Sequence, residues 1–241
     1  MKRIAVLIPC LNEEKTIKPV INDIKQSLPD AAVYVFDNNS TDQTANIAQI
    51  CGASVYHVPE QGKGNVVRTM FKEIEADCYI MIDGDYTYDT TNIEKMVDKV
   101  LNENISMVLG VRSFKNSRFI SKFSNFLLLK IFKLLYNYDI KDALTGFRAF
   151  SREFVKQFPA TATGFETEVE MTSYALTNKI QIDFIDTYYT KRQHGSSSKI
   201  KILKDGLRIL SKTLSLYRKN RQPTISNIPE YGGLYEKKYL H

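Results

Sequence analysis

Between residues 4 and 110, short aliphatic runs alternate with helical segments, and this constrains the fold more than any other feature of the chain. Ile4–Ile8 is rich in β-branched and aliphatic residues and is stopped by Pro9, so it reads as a buried strand. Asn12-Glu13-Glu14 then starts a helix, with acidic groups in the first turn where the macrodipole favours them, and the pattern continues to Leu28. Val33–Phe36 is a second strand. Ser40-Thr41-Asp42-Gln43 has the form of a capping box, with Ser40 as the cap of a helix that ends near Gly52. Ser54–His57 is a third strand, and the loop Gln61-Gly62-Lys63-Gly64 leads into a helix running to Glu75. Tyr79–Ile82, a helix over Ile93–Leu101 and Met107–Gly110 complete the series.

Strands and helices at this spacing imply right-handed βαβ units, an α/β class and a mostly parallel sheet. Ligands of such sheets bind beyond the carboxyl ends of the strands. The polar clusters of this half, Pro9–Glu13, Asp37–Asp42, Asp83–Asp89 and Arg112, all fall at such ends.

The second half differs. Residues 118–138 place Phe119, Ile120, Phe123, Phe126, Leu127, Ile131, Leu134, Leu135 and Tyr138 at a helical period, interspersed with Lys122, Lys130 and Lys133. A helix over Glu166–Thr177 and a strand over Ile180–Ile185 follow. From Lys191 to Arg221 there are ten Lys/Arg and one acidic residue. This basic amphipathic segment either lies on anionic lipid or packs its apolar face on the sheet. Residues 1–220 are expected to form one domain; residues 221–241, with Pro223, Pro229 and Gly232-Gly233, read as an extended or disordered tail.

The length of 241 residues suits a substantial core. A formal charge of +6 points to a polyanionic partner: nucleic acid, acidic lipid or a phosphorylated substrate. Cys10, Cys51 and Cys78 are odd in number, lie in or beside apolar elements and lack zinc spacing, which suggests reduced core thiols. The N-terminal apolar run is too short for a signal peptide, and no stretch reaches the length of a spanning helix. The expected location is therefore cytoplasmic.

Asp83 and Asp85, at i and i+2, lie on one side of an extended segment, as hard oxygen ligands for Mg²⁺ or Mn²⁺ bridging to a diphosphate would. Alone, Asp-Gly-Asp is equally a solvated turn, and Asp89 is suited to cap the next helix. Asp37 and Asn38 open a run of short polar side chains able to grip a base and ribose, or merely to turn the chain. Gly62 and Gly64 permit close approach of a ligand, with Lys63 meeting a phosphate as a point charge, although this is no Walker A motif. Arg192–Lys199 combines two cations with small hydroxyl residues around Gly195, as a phosphate-gripping loop or a linker would.

In chain order, VLIPCLNEE, VFDNNSTDQT, QGKGNVVRTMF, MIDGDYTYD, DALTGFRAF, GFETEVEM and RQHGSSSK resemble the inverting family 2 glycosyltransferases of the GT-A fold. Within that family they are most similar to the dolichyl- and polyprenyl-phosphate hexosyltransferases. The resemblance implies a Rossmann-like, mostly parallel sheet flanked by helices in a single domain. It implies that Pro9, Leu11 and Glu13 line the nucleotide pocket, that Asp37 contacts base or ribose, and that Asp83 and Asp85 hold the metal and donor diphosphate. Asp142 and Arg148 would border the sugar and acceptor phosphate, Glu168 the donor sugar, and Arg192, Ser197 and Lys199 would close over the phosphates. Arg118 and residues 119–138 match the segment beside the lipid acceptor. Leu11 stands where the family has an aromatic residue, and Asn38 where it has a second Asp.

The implied reaction is inverting transfer of a hexose from a nucleotide-diphosphate sugar to a polyprenyl or dolichyl phosphate. A phosphate acceptor is already an anion and needs no strong base; a saccharide acceptor would need one, with Asp142 the first candidate. The lipid would be reached peripherally at the cytoplasmic face, across an anionic membrane surface or through a membrane-protein partner. A soluble glycosyltransferase extending a saccharide is the alternative of the same fold. A sugar-1-phosphate nucleotidyltransferase lacks its Gly-rich signature here. A nucleic-acid module is not expected, because the basic segment carries a single aromatic, Tyr217.

Overall fold

The computed structural model describes residues 2–113, 119–190, 192 and 202–221. Its strands are β1 (Ile4–Cys10), β2 (Ala32–Asp37), β3 (Ser54–His57), β4 (Cys78–Met81), β5 (Met107–Arg112), β6 (Arg148–Ser151) and β7 (Ile182–Thr187). The helices are α1 (Ile17–Ser27), α2 (Thr44–Ile50), α3 (Lys63–Glu73), α4 (Ile93–Leu101), α5 (Phe119–Tyr136), α6 (Arg152–Gln157), α7 (Thr167–Thr177) and α8 (Ile202–Arg221). The strands form one sheet in the order β3-β2-β1-β4-β6-β5-β7. All pairs are parallel except those of β6, which is antiparallel to both β4 and β5.

Both faces of the sheet are covered, which is why its central strands read as continuous apolar runs. Side chains alternate along each strand. Val6, Ile8, Val35 and Ile80 join Ile17, Ile21 and Met96 of α1 and α4 on one face. Leu7, Phe36, Tyr79 and Met81 join Val67, Met70 and Met171 of α3 and α7 on the other. A third cluster seats Leu128 and Phe132 of α5 on Val169 of α7, with Ile209 of α8 against it. Cys10 and Cys78 are buried in this core, Cys51 is partly buried, and no disulfide joins the three.

Local chemistry moves several expected boundaries. α1 begins at Ile17, later than the acidic cluster suggests, because Asn12 adopts φ 54° and the Glu13 carbonyl accepts from the amides of Thr16 and Ile17 in a preceding turn. Ser40 does not cap α2; its hydroxyl accepts from the Asn12 amide. Asp42 takes the start of that helix instead, accepting from the Thr44 amide at 3.0 Å and the Glu14 amide at 3.2 Å. Burial pushes the Asp42 carboxyl up, but the bonds from Thr44 and Glu14 outweigh it and hold the group below 3.8. Asp42→Ala is expected to cost about 1 kcal/mol in urea denaturation at neutral pH. A folded-state pKa below the ordinary value gives stability that is present above that value and lost as pH falls through the folded one. The difference between wild type and variant should therefore close in acid.

β6 and α6 are absent from the sequence expectation. Every residue of β6 is buried, and four buried residues inside a sheet show no alternation to read. The bends at Gly62 and Gly64 also have a physical cause. A Cβ at Gly62 would lie 2.2 Å from the Thr163 carbonyl oxygen, and one at Gly64 would lie 2.3 Å from that of Ala162. The close approach that these glycines allow on their Cβ side is to the chain's own 162–163 segment.

Candidate active site

The carboxyl ends of β1, β2 and β4 bring together the clusters that the sequence separates by up to 80 residues. Asp83 and Asp85 follow β4. Lys63, the first residue of α3, places its ammonium 2.6 Å from Asp83 Oδ1 and 2.6 Å from Glu168 Oε1. Burial pushes the Lys63 ammonium down, but the two carboxylates outweigh it and hold the group above its ordinary range. Asp83 is shifted the other way: burial raises it, but Lys63, Arg192 and Arg112 together outweigh the rise and hold it below its ordinary range. Gly146 packs directly on this group, since a Cβ there would lie 2.3 Å from Asp83 Oδ2.

Asp85 is held differently. Its carboxyl sits above the ordinary range because of burial first and then the charge of Asp83; Arg192 and the Thr87 hydroxyl oppose the rise, and Glu13 adds to it. Arg192 Nε lies 2.7 Å from Asp85 Oδ2, and the Thr87 hydroxyl donates to Oδ1 at 2.6 Å. Arg192 NH1 is buried with no partner among the described residues. An excess of negative charge in a buried carboxylate pair is the electrostatic condition for a cation. No group of three or more His, Cys, Asp or Glu among the described residues could hold a metal alone. A hard divalent ion bound by Asp83 and Asp85 would thus complete its shell with water and phosphate oxygens, as Mg²⁺ and Mn²⁺ commonly do. The residues fit the group.

Around this pair, Asp37 ends β2 with Oδ2 accepting from the Ser40 amide and lying 3.5 Å from His57 Nδ1, a neighbour the sequence did not suggest. Its Oδ1 is buried and unpartnered among the described residues. Pro9 lies in β1 opposite Phe36, Leu11 is partly exposed in the turn after it, and Glu13 is buried beside Thr16. Glu168, in the first turn of α7, has Oε2 buried without a partner among the described residues. Ser197, Lys199 and Arg118 lie outside the described residues.

Three expected site residues have other work. Asn38 donates to the Val58 and Glu60 carbonyls and accepts from the Gly62 amide, so its side chain fastens the 58–62 loop rather than facing a base. Arg148 is fully buried on β6. It donates to the carbonyls of Thr145 and Ala143 and to the Thr172 hydroxyl, and burial brings its pKa down to about 10. It has no face for an acceptor phosphate. Asp142 is also fully buried and is gripped by Arg112 through Nε at 2.7 Å and NH2 at 2.8 Å, so the carboxylate expected as a base is already paired. At the end of β5, Arg112 is partly exposed, with its guanidinium 5.4 Å from the Tyr189 ring centroid.

A mostly parallel sheet with an antiparallel β6 thus carries an acidic pair ringed by cations at its strand ends. The model of the glycosyl transferase family 2 matches residues 5–158, and the chain belongs to that family of glycosyltransferases. Glycosyltransferase AglJ of Haloferax volcanii is 34% identical over 222 residues, covering 90% of this chain and 71% of that protein. Protein RfbJ of Shigella flexneri is 53% identical over 109 residues, 45% of this chain and 84% of its own. The UDP-N-acetylglucosamine–dolichyl-phosphate N-acetylglucosaminyltransferase of Methanococcus voltae is 28% identical, covering 89% of this chain and 96% of that protein. Among solved structures, glucosyl-3-phosphoglycerate synthase from Mycobacterium tuberculosis, in complex with Mn²⁺, UDP-glucose and phosphoglyceric acid, superposes with a TM-score of 0.75 at 22% identity, over 90% of this chain and 80% of that one. The GT-A fold is shared.

Proposed function

We propose that this glycosyltransferase moves a hexose, with inversion, from a nucleotide-diphosphate sugar to a polyprenyl or dolichyl phosphate. The observation that carries the proposal is one strand-end cluster, in which Asp83 and Asp85 meet Lys63, Arg112 and Arg192, together with a helix after β5 that has exposed apolar side chains. On that helix, α5, Phe126, Leu127 and Leu134 are exposed, and the Lys130 ammonium lies 4.7 Å from the Phe126 ring centroid. An apolar face edged by lysines suits a bilayer surface. The similarity to a dolichyl-phosphate N-acetylglucosaminyltransferase supports the same acceptor class. No helix among the described residues is long and apolar enough to cross a membrane, so the contact would be peripheral, with or without a membrane-protein partner.

Asp83 and Asp85 would hold Mg²⁺ or Mn²⁺, which supplies charge neutralisation of the departing diphosphate when bound. Asp37, with its unpartnered Oδ1, would accept a hydrogen bond from the base or ribose, and Glu168 Oε2 one from a sugar hydroxyl. Arg192 would leave Asp85 for the diphosphate, exchanging one anion for another. Arg112, locked in orientation by Asp142, would take the role expected of Arg148 and aim the acceptor phosphate at the anomeric carbon. The acceptor attacks as an anion, so no residue need remove a proton.

Two cations of α8, Arg208 and Lys212, face inward, and the exposed apolar face of α5 is the lipid contact proposed here. The test is a panel of UDP-, GDP- and other nucleotide-sugars with Mn²⁺ or Mg²⁺, with and without a short polyprenyl phosphate, scored for nucleotide release. Release that requires the lipid phosphate is expected. Release driven by a saccharide and indifferent to lipid phosphate would replace the proposed acceptor with the soluble alternative.

A further inference from the structure

The amino-terminal turns of α7 carry Glu166, Glu168 and Glu170. Helical spacing puts Glu166 and Glu170 on one stripe, while Glu168 points to Lys63. On α8, Arg208 and Lys212 have the same four-residue spacing, and the two stripes meet as rungs. Arg208 NH2 lies 2.9 Å from Glu166 Oε1, and Lys212 Nζ lies 2.9 Å from Glu170 Oε1. The same cations reach the segment preceding α7: Arg208 donates to the Thr163 hydroxyl at 2.9 Å and Lys212 to the Thr161 hydroxyl at 2.7 Å.

Each glutamate passes the contact on. Glu170 Oε2 accepts from the Ala162 amide at 2.8 Å, and Glu166 Oε1 accepts from the amides of Thr163 and Gly164 at 3.2 Å. The carbonyls of this segment then hold the start of α3. Thr163 accepts from the Gly64 amide at 3.2 Å, and Ala160 and Ala162 accept from Arg68. Between Gly62 and Gly64, both in close contact with the segment, stands Lys63, the residue that joins Asp83 to Glu168.

We propose that α8 is a clamp on the donor-binding loop, with Arg208 and Lys212 as positioning residues that act through Glu166, Glu170 and residues 161–164 to hold Lys63 against Asp83. The coupling runs through packed, hydrogen-bonded groups without a gap. It explains why a helix so basic turns two cations inward, and it makes donor binding depend on a segment far from the donor in sequence. The inference rests on the reading that Lys63 and Asp83 belong to the donor site.

The test compares full-length wild type with Arg208→Gln/Lys212→Met and with Lys212→Arg, using calorimetric titration with UDP–Mn²⁺ and GDP–Mn²⁺ alongside amide hydrogen exchange. Loss of such supporting contacts is expected to weaken nucleotide binding by about 10-fold, with Lys212→Arg close to wild type. Exchange should quicken at residues 62–64 and 161–164 while β1 and β2 stay protected. Unchanged nucleotide affinity, or faster exchange spread evenly over the chain, would overturn the clamp and leave α8 a merely structural helix. If wild type binds neither nucleotide, the donor reading fails, and the exchange pattern still decides whether α8 holds the loop. Should the double variant not fold, Arg208→Gln alone, on the more exposed rung, is read by the same criteria.

Discussion

Asp85→Asn lowers metal-dependent sugar transfer by about 10³-fold, the scale expected when electrostatic stabilisation of a developing charge is removed. The substitution preserves shape, and an amide oxygen can still accept from the Thr87 hydroxyl. Stability should change little, because the relief at this position is set against the carboxylate partner that Arg192 loses. In the folded protein the Asp85 carboxyl lies above its ordinary range through burial and the charge of Asp83, so a neutral side chain relieves a repulsion. Nucleotide release and thermal denaturation, measured on the same preparation, separate the two effects. A variant that still turns over with Mn²⁺ at the wild-type rate would remove Asp85 from the metal site, whatever its melting temperature.

Lys63→Met acts mainly on the fold. Lys63 neutralises two carboxylates, and removing one partner of a buried ion pair costs about 3–5 kcal/mol because the remaining charge is left uncompensated. The pH dependence should reverse. In wild type, Asp83 lies below its ordinary 3.8, so its contribution is present above that value and lost as pH falls through the folded one. Lys63 lies above its ordinary 10.5, so its contribution is complete below that value and lost only at higher pH. The wild-type triad thus weakens in acid. In the variant, Asp83 keeps its burial but loses its nearest counter-ion, retaining only the more distant Arg192 and Arg112, so protonation relieves it and stability should climb as pH falls from neutral. Urea midpoints across pH test this, and Lys63→Met/Glu168→Gln should recover part of the loss. A variant midpoint that falls in acid as the wild-type one does would show that Lys63 is not the counter-ion these carboxylates depend on.

Much of the fold was legible in the first half because its signals are local. Ile4–Ile8, Val33–Phe36 and Tyr79–Ile82 differ from their flanks within a few residues, and parallel β–α alternation places their carboxyl ends together. β6 was not legible, since its four residues are buried on both faces and its partners lie about 40 and 70 residues away. The capping box failed for a related reason. Ser40 had the right chemistry for α2, but the Asn12 amide, 28 residues distant, claims its hydroxyl. At the candidate site, the motifs singled out Asp83, Asp85, Lys63 and Glu168, which the fold brings together, but Arg148 and Arg112 could not be ranked by type or spacing.

By itself, the amino-acid sequence determined the class of fold, the order of its motifs and the strand ends at which they collect, because periodicity, turn chemistry and chain direction act over short distances. Only the tertiary structure decided which charge meets which. It buried Arg148 among carbonyls, locked Asp142 under Arg112, set Lys63 between two carboxylates and turned Arg208 and Lys212 of α8 onto α7. An ion pair is selected by distance and by the solvent it excludes, and in a sheet whose neighbours are rarely consecutive both are properties of the assembled fold.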